Sequence, residues 1–222
     1  MKLTIRLRDK IMLRYGAHLE SIVNRIHKRL LKRLKNRFEA ALGVDDELLE
    51  VDEAEALRQY LERTIKVTYR IGRAQGAAEG LDIETAAGRH TQDLSGLTDK
   101  QMNYSRRLFD DQEKASNEII REVLQERGPD TQEMARRMED QLGMFQGRAQ
   151  AIAVTETADM YSKAYTDTLQ SNGIDDVIWR ADEGACDECQ ALDGTRMTIM
   201  EFRTTFPKHP NDRCWPEAYV EE

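Results

Sequence analysis

The chain has 222 residues, 33% of them charged and only 6% aromatic, with 4 prolines and 3 cysteines. That balance speaks against a disulfide-framed domain and against a sandwich or barrel, and no apolar run approaches the roughly 20 residues needed to cross a bilayer as a helix. The formal charge of −8 is unevenly spread: residues 1–39 carry 12 Lys and Arg against 3 acidic residues, so a basic front precedes a body of −17.

The opening KLTIRLR alternates apolar and basic residues, a pattern open to a half-exposed strand or to a helix start. From Ile11 to Leu42, the residues Leu19, Ile22, Val23, Ile26, Leu30, Leu34 and Phe38 recur at spacings of three and four. The spacing predicts an amphipathic helix ending near Gly43. Arg25, Lys28, Arg29, Lys32, Arg33, Lys35 and Arg37 give it a basic face, which suits either the solvated side of a bundle helix or a docking surface for a partner protein or DNA.

The acidic VDDELLEVDE leads into a second helix, about Ala54 to Gly80, with Leu57, Leu61, Ile65 and Ile71 as its apolar positions. Its GRAQGAAEG stretch places small residues where another helix can come close, although each interior Gly costs about 1 kcal/mol. Residues 81–98 read as a loop. A third helix runs from about Thr98, its expected cap, to Arg127. After GPDT, Thr131 is the expected cap of a short helix to Leu142, and a further helix spans about Gln146 to Gln170 before the SNG stop. VIWRA then predicts a strand with Trp179 buried, and TRMTIM its hairpin partner across the LDG turn.

The fold class expected is mainly α with a small β-hairpin or sheet (α+β). Long helices over residues 1–128 form a helical arm that docks on a partner, and residues 129–222 form a compact unit holding the Cys/His residues. Without a secretory signal the chain is expected in the cytosol.

All three cysteines fall in one stretch with a histidine, as Cys186, Cys189, His209 and Cys214, giving C-x2-C-x19-H-x4-C. A two-residue gap lets both sulfurs of one turn face the same ion, and a distant pair can close a tetrahedron, so this spacing fits structural zinc. Gly184 and Gly194 flank the first pair where sharp turns are needed. Four protein ligands would leave no open position for hydrolysis. The same residues are open to other readings: reduced thiols, a redox-active C-x2-C, or a set that has lost its metal.

Enzyme fingerprints are missing. No G-x-S-x-G, P-loop or G-x-G-x-x-G is present, and the H-x-E of a zinc deaminase appears only as His18-Leu19-Glu20, about 170 residues from a C-x-x-C preceded by Ala185 rather than proline. The chain is expected not to be an enzyme and to take no small-molecule substrate.

Three stretches coincide in order: RAQAIAVTETADMYSKAY, VIWRADEGACDECQALDGTRM and PKHPNDRC. Together, over about residues 129–219, they resemble the phage head morphogenesis family of Mu F-like minor head proteins, whose members read R-A-x-x-I-A-R-T-E-T, then a Trp strand, C-x-x-C-x-x-L-D-G and H-P-N-C-R-C. Val154 stands where that pattern has arginine, and Asp212 where it has a cysteine. The resemblance implies a metal-like cluster at Cys186, Cys189, His209 and Cys214, and marks Thr155, Glu156, Trp179 and Arg213 as structural residues. Glu156 is expected to bond Arg213 or the backbone of the closing loop. The resemblance further implies a minor capsid protein acting in head assembly, at the head and portal vertex of the virion and, during assembly, in the cytoplasm of the bacterial host. Its partners would be the portal protein, other head proteins and DNA met by the basic helix.

Overall fold

The computed structural model describes residues 2–36, 51–82, 93–127 and 130–220. Four long helices come first: α1 (Lys2–Asn36), α2 (Val51–Ala78), α3 (Asp93–Arg127) and α4 (Thr131–Ser171). Strand β1 (Asp176–Arg180), the one-turn α5 (Asp187–Gln190), β2 (Arg196–Thr198), α6 (Ile199–Thr205) and β3 (Trp215–Ala218) complete the chain. Among the described residues, no helix is long and apolar enough to cross a membrane.

The apolar stripe on α1 does what its period dictates. Tyr15, Leu19, Ile22, Val23, Ile26 and Leu30 are buried in a core shared with Leu57 and Leu61 of α2, Leu108 and Val123 of α3, and Met138 and Ala149 of α4. Each such side chain contributes roughly 1.5–3 kcal/mol on burial, which fixes α1 along α4. Leu34 lies in α1 with its side chain outside the described set, and Phe38 lies outside the described residues, as does the rest of the helix expected up to Leu42. KLTIRLR is helical: Thr4, Arg8, Met12 and Tyr15 recur at helical spacing and are all buried, so the short alternation of apolar and basic residues yields to packing.

Helix α2 meets α4 at Gly72 and Gly76. A methyl group on Gly72 would stand 2.6 Å from the Tyr161 carbonyl oxygen, and one on Gly76 would stand 2.6 Å from Thr168 Cγ2. The glycines therefore set the approach of the two backbones, as GRAQG suggests.

Three expectations are corrected. Helix α3 begins at Asp93, so Thr98 is an interior, buried residue and not a cap. Thr131 is not a cap either: Asp130 holds that place, its carboxylate accepting from the Glu133 N–H at 3.0 Å. The short helix and its successor are one continuous α4 running through Gly143 and Gly147, because Met138, Phe145 and Ala149 all face the same core and their burial outweighs the glycine cost.

From Ala153 onward α4 is buried on nearly every side, since the sheet covers the face that the bundle leaves free. The sheet has order β2-β1-β3, antiparallel throughout, with Val177 opposite Met197 and Ala218, and Trp179 opposite Pro216. Val177 and Trp179 point inward and meet Phe202, Phe206, Val154, Ala158 and Leu169 in a second core. TRMTIM is only half strand. Thr198 ends β2 and caps α6 through a reciprocal capping box with Glu201.

Candidate metal centre

The sheet delivers the Cys/His residues to one end. Beyond β1 the chain turns at Gly184, whose φ of 85° is costly for any residue with a Cβ, and reaches Cys186 at the start of α5. One turn of helix, closed by Gln190 N–H donating to the Cys186 carbonyl at 2.9 Å, brings Cys189 beside it. Gly194, with φ 77°, turns the chain back into β2. The loop between α6 and β3 then supplies His209, Asp212 and Cys214.

His209 Nε2 lies 3.2 Å from Cys186 Sγ and 3.2 Å from Cys189 Sγ. With metal–sulfur bonds of about 2.3 Å and metal–nitrogen bonds of about 2.0 Å, a tetrahedral zinc site has an N···S edge of about 3.5 Å, so these three donors stand close to that geometry. His209 Nδ1 is 2.8 Å from the Pro210 carbonyl oxygen. An Nδ1–H donated to that carbonyl leaves the lone pair on Nε2, aimed between the two sulfurs.

The remaining donors form a second group around Cys189, made of Cys189, Asp212 and Cys214, all buried and with their donor atoms within 4.8 Å of one another. The structure thus gathers Cys186, Cys189 and His209 in one set and joins Cys214 to it through Cys189. Asp212 braces the loop: Oδ1 accepts from the Cys214 N–H and Oδ2 from the Lys208 N–H, each at 2.9 Å. An open pocket of about 340 Å³ exposes Cys186 and His209 to solvent on the outer side.

The thiols differ in their readiness to ionise. The Cys189 backbone N–H, ahead of the side-chain contacts with Cys189 and His209, pulls the Cys186 thiol below its usual range. Burial pushes Cys189 up to about 11, and burial followed by the Asp212 carboxylate raises Cys214 as well. His209 is raised, chiefly by its bond to the Pro210 carbonyl. The Cys186 and Cys189 thiols beside an imidazole lone pair are suited to a soft or borderline divalent cation, which would displace the thiol protons on binding.

Around this end, Thr155 of α4 holds the closing loop: its Oγ1 accepts from the Asn211 N–H at 2.9 Å. Trp179 is fully buried against Phe202 and Phe206, with ring centroids 5.2 and 5.8 Å away. Glu156 does not reach Arg213. It faces α3, where Lys100 Nζ lies 3.2 Å from Oε2, because one step along a helix turns a side chain by about 100° away from Thr155 and the loop. Arg213 instead contributes its carbonyl, which accepts from Arg8 Nη1 of α1 at 3.0 Å. Arg8 escapes a motif search, yet an arginine on the apolar stripe between Thr4 and Met12 is its signal in the sequence.

Residues 114–215, from the second half of α3 to the first residue of β3, match the family described as Phage Mu protein F like protein. Over that stretch, a little under half of the chain, the sequence is similar to the Mu F-like phage family. No protein of curated function and no solved structure matches it.

The two departures from the Mu F-like pattern now have a physical setting. Val154 is buried in the core beneath the sheet, a place suited to an aliphatic side chain. Asp212 keeps the loop closed through two backbone hydrogen bonds while standing next to the cysteines.

On the basic face, Arg29 forms a two-pronged pair with Glu53 of α2 at 2.7 and 2.8 Å, and Arg25 lies 3.5 Å from the same carboxylate. Lys28 and Lys32 are exposed, as are Arg6, Lys10 and Arg14 further toward the N-terminus. The side chains of Arg33 and Lys35 lie outside the described set, and Arg37 outside the described residues.

Proposed function

We propose that this chain is a Mu F-like head protein, a non-enzymatic minor capsid component that docks on the portal protein during head assembly. In this reading it works in the bacterial cytoplasm while heads form and stays at the portal vertex of the finished virion. One structural zinc ion would be held by Cys186, Cys189, His209 and Cys214, supplying stiffness to the loops beside a three-stranded sheet that has little core of its own. The observation that carries the reading is the family match over residues 114–215, the stretch that contains α4 and nearly all of the Cys/His unit. Long helices packed on α4 offer extended docking surface, and the exposed cations of α1 suit an acidic partner. The test is co-purification with the portal protein of the same phage. Recovery of a stable complex, weakened by charge reversal at Lys28 and Lys32, supports the reading; two folded proteins that elute apart overturn it.

A second reading, contact with packaged DNA, is favoured by the exposed row Arg6, Lys10, Arg14, Lys28 and Lys32 along one helix. Each phosphate engaged would contribute about −0.9 to the slope of log affinity against log salt. Retention on DNA that falls steeply with salt, and falls further when these cations are removed, would favour it over the portal.

A further inference from the structure

We propose that α1 forms the back wall of the Cys/His cluster and that Arg8 couples the seating of this helix to metal occupancy. The inference rests on the metal reading given above.

Arg8 is fully buried, an expensive place for a guanidinium unless its donors are used. Its fork is divided. Nε and Nη2 donate to Asp9 Oδ1 at 3.0 and 2.9 Å, while Nη1 donates to the carbonyl of Arg213, 205 positions along the chain. That carbonyl belongs to the residue directly before Cys214, whose own N–H is held by Asp212. Tyr161 and Trp215 flank the guanidinium with ring centroids 5.6 and 5.9 Å away. One turn further along α1, Met12 packs into the core that contains Cys189 and Cys214.

A metal held by the cysteines fixes the loop at residues 212–214, and with it the carbonyl that Arg8 needs. If the loop is loose, Arg8 keeps its burial cost and loses its distant acceptor, so α1 is less firmly seated. Linkage makes the effect reciprocal: whatever factor the seated helix adds to metal affinity, the metal adds to seating of the helix. Outer-shell partners of metal sites change affinity by about 10- to 100-fold, and about tenfold is expected here.

The experiment uses the full chain and zinc alone. Hydrogen exchange of the amides in residues 4–14 is compared with zinc bound and after chelation, and zinc affinity is measured by chelator competition for the wild type, Arg8→Met and Arg8→Lys. Coupling predicts about tenfold slower exchange with zinc and about tenfold weaker binding by Arg8→Met, with part of the loss recovered in Arg8→Lys. Equal exchange with and without zinc, together with undiminished binding by Arg8→Met, overturns the coupling and leaves the metal reading standing. If the wild type binds no zinc, both fall. Should Arg8→Met fail to fold, the wild-type exchange comparison alone decides.

Discussion

The backbone N–H of Asn211 donates to Thr155 Oγ1 at 2.9 Å, while the same hydroxyl donates to the Ala151 carbonyl one turn back on α4 at 2.7 Å. One side chain thus joins the central helix to the loop that carries His209. Thr155→Val keeps the shape and removes the acceptor, and a net loss of about 1 kcal/mol is expected. For a chain of this length that is a fall in Tm of about 2–4 °C. Thr155→Ser should restore most of it in thermal unfolding; a valine variant as stable as the wild type would remove Thr155 from the tie.

Glu156 gives a pH signature. Burial raises its pKa above the ordinary 4.5, opposed by the nearby Lys100 ammonium. Lys100 is itself partly desolvated, but Glu156 and Asp159 together raise its pKa. Because the folded-state pKa of Glu156 exceeds the unfolded one, its contribution to stability is complete below about 4.5 and is lost as pH rises through the raised value. Relative to Glu156→Gln, the wild type should therefore lose stability between pH 4.5 and neutrality, as measured by urea unfolding at several pH values. A difference that stays constant across that range would contradict this.

Lys100→Met tests the same pair from the other side. It leaves Glu156 buried without its cation, and since Lys100 is 40% exposed and partly screened, a loss of about 1–2 kcal/mol at pH 7 is expected. The double variant Lys100→Met with Glu156→Gln should recover most of that loss in a double-mutant cycle.

Two glycines separate close approach from simple cost. Gly72→Ala places a methyl group 2.6 Å from the Tyr161 carbonyl oxygen and 2.8 Å from Ala164 Cβ, and should destabilise the chain by about 1–3 kcal/mol. Gly143, also inside a helix, has nothing within 4 Å of the place where a methyl group would stand, so Gly143→Ala should stabilise by up to about 1 kcal/mol. Denaturant midpoints for the two variants that shift the same way would contradict the packing of α2 on α4.

Much of this was legible in the residues. The three-and-four spacing of Leu19, Ile22, Val23, Ile26 and Leu30 marks α1, VIWRA marks β1 with Trp179 inside, and the Cys/His spacing marks the loops that converge. What escaped depends on contacts distant in sequence. The unity of α4 across Gly143 and Gly147 is set by the core that Met138, Phe145 and Ala149 share with other helices, a force absent from local propensity. β3 holds Pro216 at an edge and becomes a strand only by pairing with β1. Glu156 found Lys100 and not Arg213 because one step along α4 turns it away from the loop that Thr155 holds, and Arg8 found Arg213 through a contact 205 positions away in sequence.

The central claim is that the Cys/His residues close around a single structural ion. Elemental analysis of the purified chain, paired with thermal unfolding before and after chelation, tests it most directly. The account predicts one zinc per chain, lost in Cys186→Ser and Cys189→Ser, and a Tm that drops when the metal is stripped. A folded wild-type chain that carries no metal, takes up none from added zinc and melts at the same temperature with or without chelator would contradict it.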